Sequence, residues 1–282
     1  MTNTHQDQIE KYDLIKQLHV YGDLIVLPNI WDPLGARLVE SLGYPIIATA
    51  SASIALSNGY PDGEKIPFNL VLQIIKKIVQ AVSKPVTADI ESGYAYNNTA
   101  LKENIKQLID TGIAGINFED SRHDDGTLIT VAHQCERINC IRQAAAEMGM
   151  PLFINARTDV MLKENQLTDE GKLAEIIVRG KAYCDAGADC FFPVLVKKKD
   201  DLVTINKSVN LPVNVIMLPG TPDFETLKNI GLARVSLGPG VLKIAINAMK
   251  AIAEKLKQCN GMQELVDNPV TTAFLNNLIT KK

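Results

Sequence analysis

The stretch Leu24–Pro33, LIVLPNIWDP, decides the fold. Its first half is apolar and β-branched enough for a strand buried on both faces. The turn that follows, Asn29-Ile30-Trp31-Asp32-Pro33, contains no glycine. An open doubly wound sheet would be expected to place a glycine-rich phosphate turn at this first strand-to-helix junction. A closed barrel needs no such turn. Asp32 before Pro33 reads as an N-cap with proline at the first helical position, so Asp32 is assigned to helix initiation rather than to chemistry.

Outward from this stretch the same unit recurs. Strand candidates follow at Pro45–Thr49, Pro85–Asp89, Gly115–Glu119, Leu152–Arg157, Asp189–Pro193, Val213–Met217 and Arg234–Leu237, with Leu24–Asn29 as the first. Between them lie amphipathic segments such as Leu70–Val82, apolar at Leu70, Val71, Ile74, Ile75, Ile78 and Val79. Helices end at SLGYP, DTGIAG, EMGMP, DAGADC and NIGLAR, each with a glycine where a left-handed cap is wanted. Eight such units predict an α/β fold, a (β/α)8 TIM barrel. Two more helical pieces, Val241–Gln258 and roughly Met262–Thr280, follow the last strand. The chain therefore reads as one barrel domain, residues 1–282, with 241–282 as extra C-terminal helices expected to pack on a partner subunit.

Composition narrows the function. The chain has 282 residues, 46% hydrophobic, with 29 basic and 32 acidic side chains interspersed for a net charge of −3. No basic stripe points to nucleic acid, and no apolar run approaches a membrane span or a signal core. Five cysteines form no CxxC and no paired framework, which predicts reduced thiols in a cytoplasmic protein.

In a barrel of this kind chemistry gathers at the C-terminal strand ends. There the sequence places Asn29, Thr49 and Ser51, then Asp89 and Glu91, Glu119 and Asp120, and finally Asn155, Arg157 and Asp159. Asp89 and Glu91 are two residues apart, so their side chains are expected to share one strand face, roughly 6.6 Å apart along the strand. Glu119 ends the neighbouring strand. Three acids around one point repel unless a cation sits among them or they share protons. Oxygen ligands without histidine or cysteine at ligand spacing favour a hard ion such as Mg2+. Arg157 supplies the opposing charge, either to grip a substrate carboxylate and stabilise an enolate, or to neutralise the acids in a structural network.

TADIESGY, INFEDSRH and INARTD, in that order on successive strands, together with IIATASASIALSNGYPDGE, resemble the isocitrate lyase/phosphoenolpyruvate mutase superfamily. The resemblance runs from about Pro28 to Gly240. It implies a barrel whose last helix is exchanged between subunits of a dimer or tetramer. It also implies Mg2+, with Mn2+ as a substitute, held by Asp89 directly and by Glu91 and Glu119 mostly through water. A 2-oxo acid or its enolate would chelate the ion. Arg157 matches the substrate-binding arginine, Ala50 and Ser51 the turn that holds the substrate carboxylate, and Asp62 an acid near the metal. Asn155 is the further polar side chain on the same strand as Arg157 and is assigned to substrate binding.

One departure from the family is informative. Isocitrate and methylisocitrate lyases carry a Lys-Lys/Arg-Cys-Gly-His loop after the fourth strand, and the mutase and phosphonopyruvate hydrolase carry Lys and Asn there. This chain has EDSRHDDGTLIT. Cys135 and Cys140 lie in a helical pattern and read as core filler. His123, in the loop, is the histidine that could donate a proton or simply be solvated. VSLGPG resembles a barrel phosphate site but lacks a matching glycine-rich loop after the preceding strand, and Lys197–Lys199 reads as a solvated run.

The function expected from these residues is a Mg2+-dependent carbon–carbon lyase or decarboxylase. Its substrate would be a small 2-oxo acid or 2-hydroxy di- or tricarboxylate, handled through an enolate as in 2-methylisocitrate lyase or oxaloacetate decarboxylase. Phosphorus–carbon bond chemistry is the first alternative. A non-catalytic Mg2+/2-oxo-acid binder is the second.

Overall fold

Pro28 breaks the first barrel strand in two, because a proline has no N–H to give the ladder. In the computed structural model, which describes residues 2–163 and 166–280, β1 (Ile25–Leu27) pairs with the last strand and β2 (Asn29–Ile30) with the next one. The other strands are β3 (Ile47–Thr49), β4 (Val86–Asp89), β5 (Gly115–Glu119), β6 (Phe153–Thr158), β7 (Cys190–Pro193), β8 (Asn214–Ile216) and β9 (Arg234–Ser236). All pairings are parallel, running β2 to β7 in sequence order and then β8–β9–β1. The remaining seam, β7 to β8, is closed by a parallel bridge between Phe191 and Val213 and by Phe191 N–H donating to Pro212 O at 2.9 Å. The barrel closes with eight strands, as the sequence predicts.

Helices cover its outside: α2 (Pro33–Ser41), α3 (Ser51–Ser57), α4 (Phe68–Ala81), α5 (Asn98–Ile109), α6 (Val131–Glu147), α7 (Asp169–Asp185), α8 (Lys199–Ser208) and α9 (Phe224–Ile230). Their apolar stripes form the main core against the strands, with Ile75, Ile105, Ile141 and Ile205 fully buried. The glycines that the sequence marks as helix stops are left-handed, for example Gly231 at φ +90° after α9. Asp32 caps α2 as expected, its Oδ1 accepting from Gly35 N–H at 2.6 Å.

The sequence reading did not anticipate α1 (Thr2–Leu18), preceding the first strand. Ile15 of α1 is fully buried among Leu27, Ile46, Ala48, Ala114, Phe153 and Cys190, so the helix closes the N-terminal end of the barrel. Gln8 fastens it, donating to the carbonyls of Ile109 (3.1 Å) and Ile113 (2.7 Å).

Beyond β9 come α10 (Gly240–Lys257), α11 (Met262–Val266) and α12 (Thr272–Thr280). Only Leu242 of α10 is buried, whereas α12 lies back against α2 of the same chain. No helix among the described residues is long and apolar enough to cross a membrane, and the five cysteines are free.

Candidate active site

Strand β4 ends at Asp89, and the chain then turns sharply. Glu91 (φ +52°) and Tyr94 (φ +54°) are left-handed without being glycine, a strained arrangement of the sort that clusters at functional sites. Between them Gly93 (φ +89°) has no room for a side chain, since a Cβ would lie 2.6 Å from Leu101 Cδ1 and 3.2 Å from the Phe118 ring. Asp89 and Glu91 therefore do not share a strand face, which corrects the pleat-based expectation. The turn, not the strand, aims the Glu91 carboxylate.

Each acid is held by its own donors. Asp89 Oδ2 accepts from Ser51 N–H (3.2 Å) and Ser51 Oγ (3.0 Å), while Asp89 N–H donates to Thr49 Oγ1 (2.9 Å). Glu91 Oε2 accepts from Glu64 N–H (2.8 Å) and Oε1 from Tyr94 OH (3.0 Å). Glu119 takes Arg157 Nη1 on Oε2 (2.7 Å) and lies 3.0 Å from His123 Nε2 through Oε1. His123 Nε2 is also 3.6 Å from Glu91 Oε2. Arg157 Nε donates to Asp159 Oδ1 at 2.6 Å. Behind it Asp159 accepts from Ser121 Oγ and donates its N–H to Asp120 Oδ1, and Asp120 is pinned by Arg179 (2.9 Å) and Tyr183 OH (2.7 Å).

The electrostatics follow from this crowding. Burial, then the charges of Glu119 and Asp62, raise the Glu91 carboxyl to about 8. Burial likewise raises Glu119, against the pull of Arg157. Asp62 is raised by burial and by Asp89. Burial works to lower His123, but the hydrogen bond and charge of Glu119 outweigh it and raise the imidazole. Burial also opposes the Arg157 charge, yet Glu119 and Asp159 more than offset that and hold it firmly protonated. Four carboxyls here hold more negative charge than their protein partners compensate.

Two cavities flank the acids. One, of about 200 Å3, is lined by Ser51, Asp62, Asp89, Asn117, Arg157 and Ser236, among others. The second, of about 300 Å3, is lined by Glu64, Lys65, Tyr94, His123, His133 and Arg137. Glu91, Glu119 and His123 meet between them. Of the residues expected from sequence, Ala50, Ser51, Asp62, Asp89 and Arg157 thus line one cavity, whereas His123 faces the other. Asn155 does not line either of them. It is fully buried and donates to Asn117 Oδ1 at 2.8 Å, so it reaches the cavity only through Asn117. The Ala50 N–H donates to Ile30 O (3.2 Å) and that of Ser51 to Asp89, so both amides assigned to a substrate carboxylate have partners inside the protein.

The donor set fits a hard divalent cation held largely through water. Among the described residues no three His, Cys, Asp or Glu side chains stand close enough to ligate one ion together. The carboxyl excess around the cavity and the raised acids are nevertheless what a cation would relieve.

Other candidates resolve plainly. Cys135 and Cys140 donate to the carbonyls of Ala182 and Asn98 on the outer helices, as core fillers. The VSLGPG turn has its amides engaged, Leu237 and Gly238 N–H donating to Asn29 Oδ1 at 2.7 and 3.0 Å. Lys198 is exposed and pairs with Asp169. Glu64, Tyr94, Asn117 and Ser236 were not singled out from the sequence. Glu64 and Tyr94 sit in GYPDGEK and ESGYAY, beside the acids that they orient, and that adjacency is the available signal.

Comparisons with known proteins agree with this fold. A family model described as phosphoenolpyruvate phosphomutase matches residues 15–257. An uncharacterised protein of Mycobacterium tuberculosis is 32% identical over 84% of this chain and 88% of its own. Oxaloacetate decarboxylase 1 of Pseudomonas fluorescens is 27% identical over 87% and 83%. Among solved structures, a candidate phosphonomutase from Burkholderia cenocepacia J2315 is 37% identical, covering 87% of this chain and 99% of that one, with a TM-score of 0.83. A phosphonopyruvate hydrolase in complex with oxalate and Mg2+ shares the fold, with a TM-score of 0.82 at 21% identity over 95% of this chain and 94% of that one.

Proposed function

Because the chain belongs to the isocitrate lyase/phosphoenolpyruvate mutase superfamily, we propose that it breaks the bond between C3 of a small 2-oxo acid and a leaving group, through the enolate of that acid. It is an enzyme of this superfamily, whose chemistry is on small carboxylic and 2-oxo acids. The observation that carries the finer reading is the meeting of Asp62, Asp89 and Arg157 in one cavity at the C-terminal strand ends.

The Arg157 guanidinium, held by Glu119 and Asp159, brings a permanent positive charge to the cavity wall and favours the developing enolate over the neutral keto form. Ser51 fixes the orientation of Asp89. Asp62 lines the same cavity and is the carboxyl we assign to carry a proton to C3. His123, facing the second cavity, acts instead on Glu119 and Glu91. Mg2+ or Mn2+, held by Asp89 with Glu91 and Glu119 outside it, would supply Lewis-acid polarisation of a 2-oxo acid when bound.

Two of the comparisons favour phosphorus as the leaving atom, while curated relatives named 2-methylisocitrate lyase and oxaloacetate decarboxylase favour carbon. The family model and the 37% identical structure both carry the phosphomutase or phosphonomutase description. This ranks phosphorus–carbon chemistry ahead of the carbon–carbon cleavage expected from sequence. One observation keeps decarboxylation as the second reading: the loop after β5 has no lysine, asparagine or cysteine, and loss of CO2 leaves the enolate with no need of a loop donor. The test is turnover of phosphonopyruvate, oxaloacetate and 2-methylisocitrate with and without Mg2+, on the wild type and on Asp89→Ala. Metal-dependent conversion of phosphonopyruvate, either to pyruvate and phosphate with water taking the phosphoryl group or to phosphoenolpyruvate with the enolate oxygen taking it, lost in Asp89→Ala, supports the first reading; pyruvate and CO2 from oxaloacetate alone support the second. Binding of oxalate without turnover of any of the three would leave only a binder.

A further inference from the structure

The floor of the substrate cavity rests on a charge that its chemistry has not yet used. Ser236 lines the cavity, and its Oγ accepts from Arg234 Nε at 3.2 Å while donating to Asn214 Oδ1 at 3.2 Å. The Ser236 proton is thus committed to Asn214. Arg234 itself is fully buried, the bulkiest side chain to be so among the described residues. It begins β9, in register with Ile25 on one side and Asn214 on the other.

Among the described residues no group accepts from Arg234 Nη1 or Nη2, and Asn214 Nδ2 is likewise without a partner there. Two titratable neighbours of Arg234, Cys190 and His19, carry no charge to offset it. Burial raises the Cys190 thiol to about 12, so it is no thiolate counter-ion. Burial and Arg234 together lower His19 to about 3, and its Nδ1 is spent on the carbonyl of Ile15 at 2.7 Å. Arg234 remains protonated at neutral pH, and the carboxylate whose field it feels is Asp89, on the cavity wall. A buried charge without a contacting partner is costly, and replacing it by an apolar residue is commonly neutral or stabilising for the fold. The cavity that Ser236 lines is the space adjoining that charge.

We propose that Arg234 is a positioning residue for an anionic substrate: its unneutralised guanidinium, fixed beneath the cavity floor through Ser236, draws the negative charge of a bound small acid toward the barrel axis. The inference rests on the reading of this cavity as the site for a small 2-oxo acid and deepens it. Two cationic side chains then address the ligand, Arg157 from the rim and Arg234 from below. Because the interaction is Coulombic and passes through buried protein, it scales with ligand charge and does not depend on a direct hydrogen bond.

The experiment is calorimetric titration of oxalate (a dianion) and oxamate (a monoanion), each with Mg2+, into the wild type, Arg234→Met, Arg234→Lys and Ser236→Ala, with thermal melts of each protein alone. The expected result is that Arg234→Met melts at or above the wild-type temperature, binds oxalate at least about 10-fold more weakly, and loses distinctly less affinity for oxamate. Arg234→Lys, which keeps the charge, recovers part of the oxalate affinity. Unchanged oxalate affinity in a folded Arg234→Met, or equal losses for the two ligands, overturns the proposal. If Arg234→Met does not fold, Arg234 is structural unless Ser236→Ala, folded, still shows the charge-graded loss. Failure of the wild type to bind either ligand strikes the 2-oxo-acid reading itself, a different result from binding that ignores residue 234.

Discussion

His123 and Arg157 grip opposite oxygens of one carboxylate: His123 Nε2 lies 3.0 Å from Glu119 Oε1, and Arg157 Nη1 lies 2.7 Å from Glu119 Oε2. The loop that carries His123 is short and closed on itself by a bridge between Ser121 and Leu128. His123 therefore stands on the second-cavity side of the acid cluster, and Asp62 and Asp89 are left to face the substrate cavity. Removing the imidazole should loosen the cluster without removing a group from that cavity. His123→Gln is expected to keep measurable turnover, reduced by about 10-fold or less, whereas Asp62→Asn should lose about 100-fold or more, the ordinary contribution of a general acid. Steady-state rates on whichever substrate proves active decide it. Equal losses would return the donor role to His123.

The acid cluster also sets a pH dependence for the metal-free protein. Glu91 keeps its proton to about 8 in the folded state, far above its ordinary value of 4.5. Between those values the folded state binds more protons than the unfolded one, so stability must fall as pH rises through about 8. His19 acts in the opposite sense but only below its ordinary 6.5, because its folded value is lowered to about 3. Urea midpoints measured from about pH 6.5 to 8.5 should therefore decline, and more weakly in Glu91→Gln. Adding Mg2+ should flatten the decline. A midpoint that rises with pH across this window would show that the carboxyls are not raised.

Much of this site is legible in the sequence, for a physical reason. Strand ends that carry Asp89, Glu119 and Arg157 place charges where a parallel barrel opens, and eight strand–helix units, five of them with a glycine-capped helix end, leave few other folds. What was not legible depends on contacts between distant segments. Asn155 sits next to Arg157 in strand spacing, yet it spends its amide on Asn117. Glu91 stands two residues from Asp89, but its left-handed backbone turns it away from the strand face. Helix α1 was missed because its apolar residues Ile9, Tyr12, Ile15 and Leu18 are thinly spaced among polar ones. Arg234 was hidden within an ordinary strand, RVSL, since nothing local reveals that its guanidinium is unpaired.

The buried pair of Asp120 and Arg179 predicts a large loss of stability. Asp120 is fully buried and depends on Arg179 and Tyr183 for its charge compensation. Arg179→Met would leave that carboxylate without its cation, at a cost of about 3–5 kcal/mol. Tyr183→Phe removes only a hydrogen bond and should cost about 1–3 kcal/mol. Chemical denaturation of the two variants ranks them. The reverse order would mean that Asp120 is protonated and the network neutral.

The C-terminal helices bear on assembly. Along α10, Ile244, Ile246 and Met249 are exposed, and Met262 and Val266 of α11 extend the apolar surface. A helix with so much apolar exposure and one buried residue is poorly stabilised by its own barrel. The exchanged-helix arrangement expected from the resemblance would cover this face with a second copy of the chain. Sedimentation should then give a dimer or tetramer, and Ile244→Glu with Met249→Glu should shift it toward monomer, since two buried carboxylates without partners cost more than the contact returns. A wild type that sediments as a monomer at micromolar concentration would show that α10 is content in water and that the exchange does not occur.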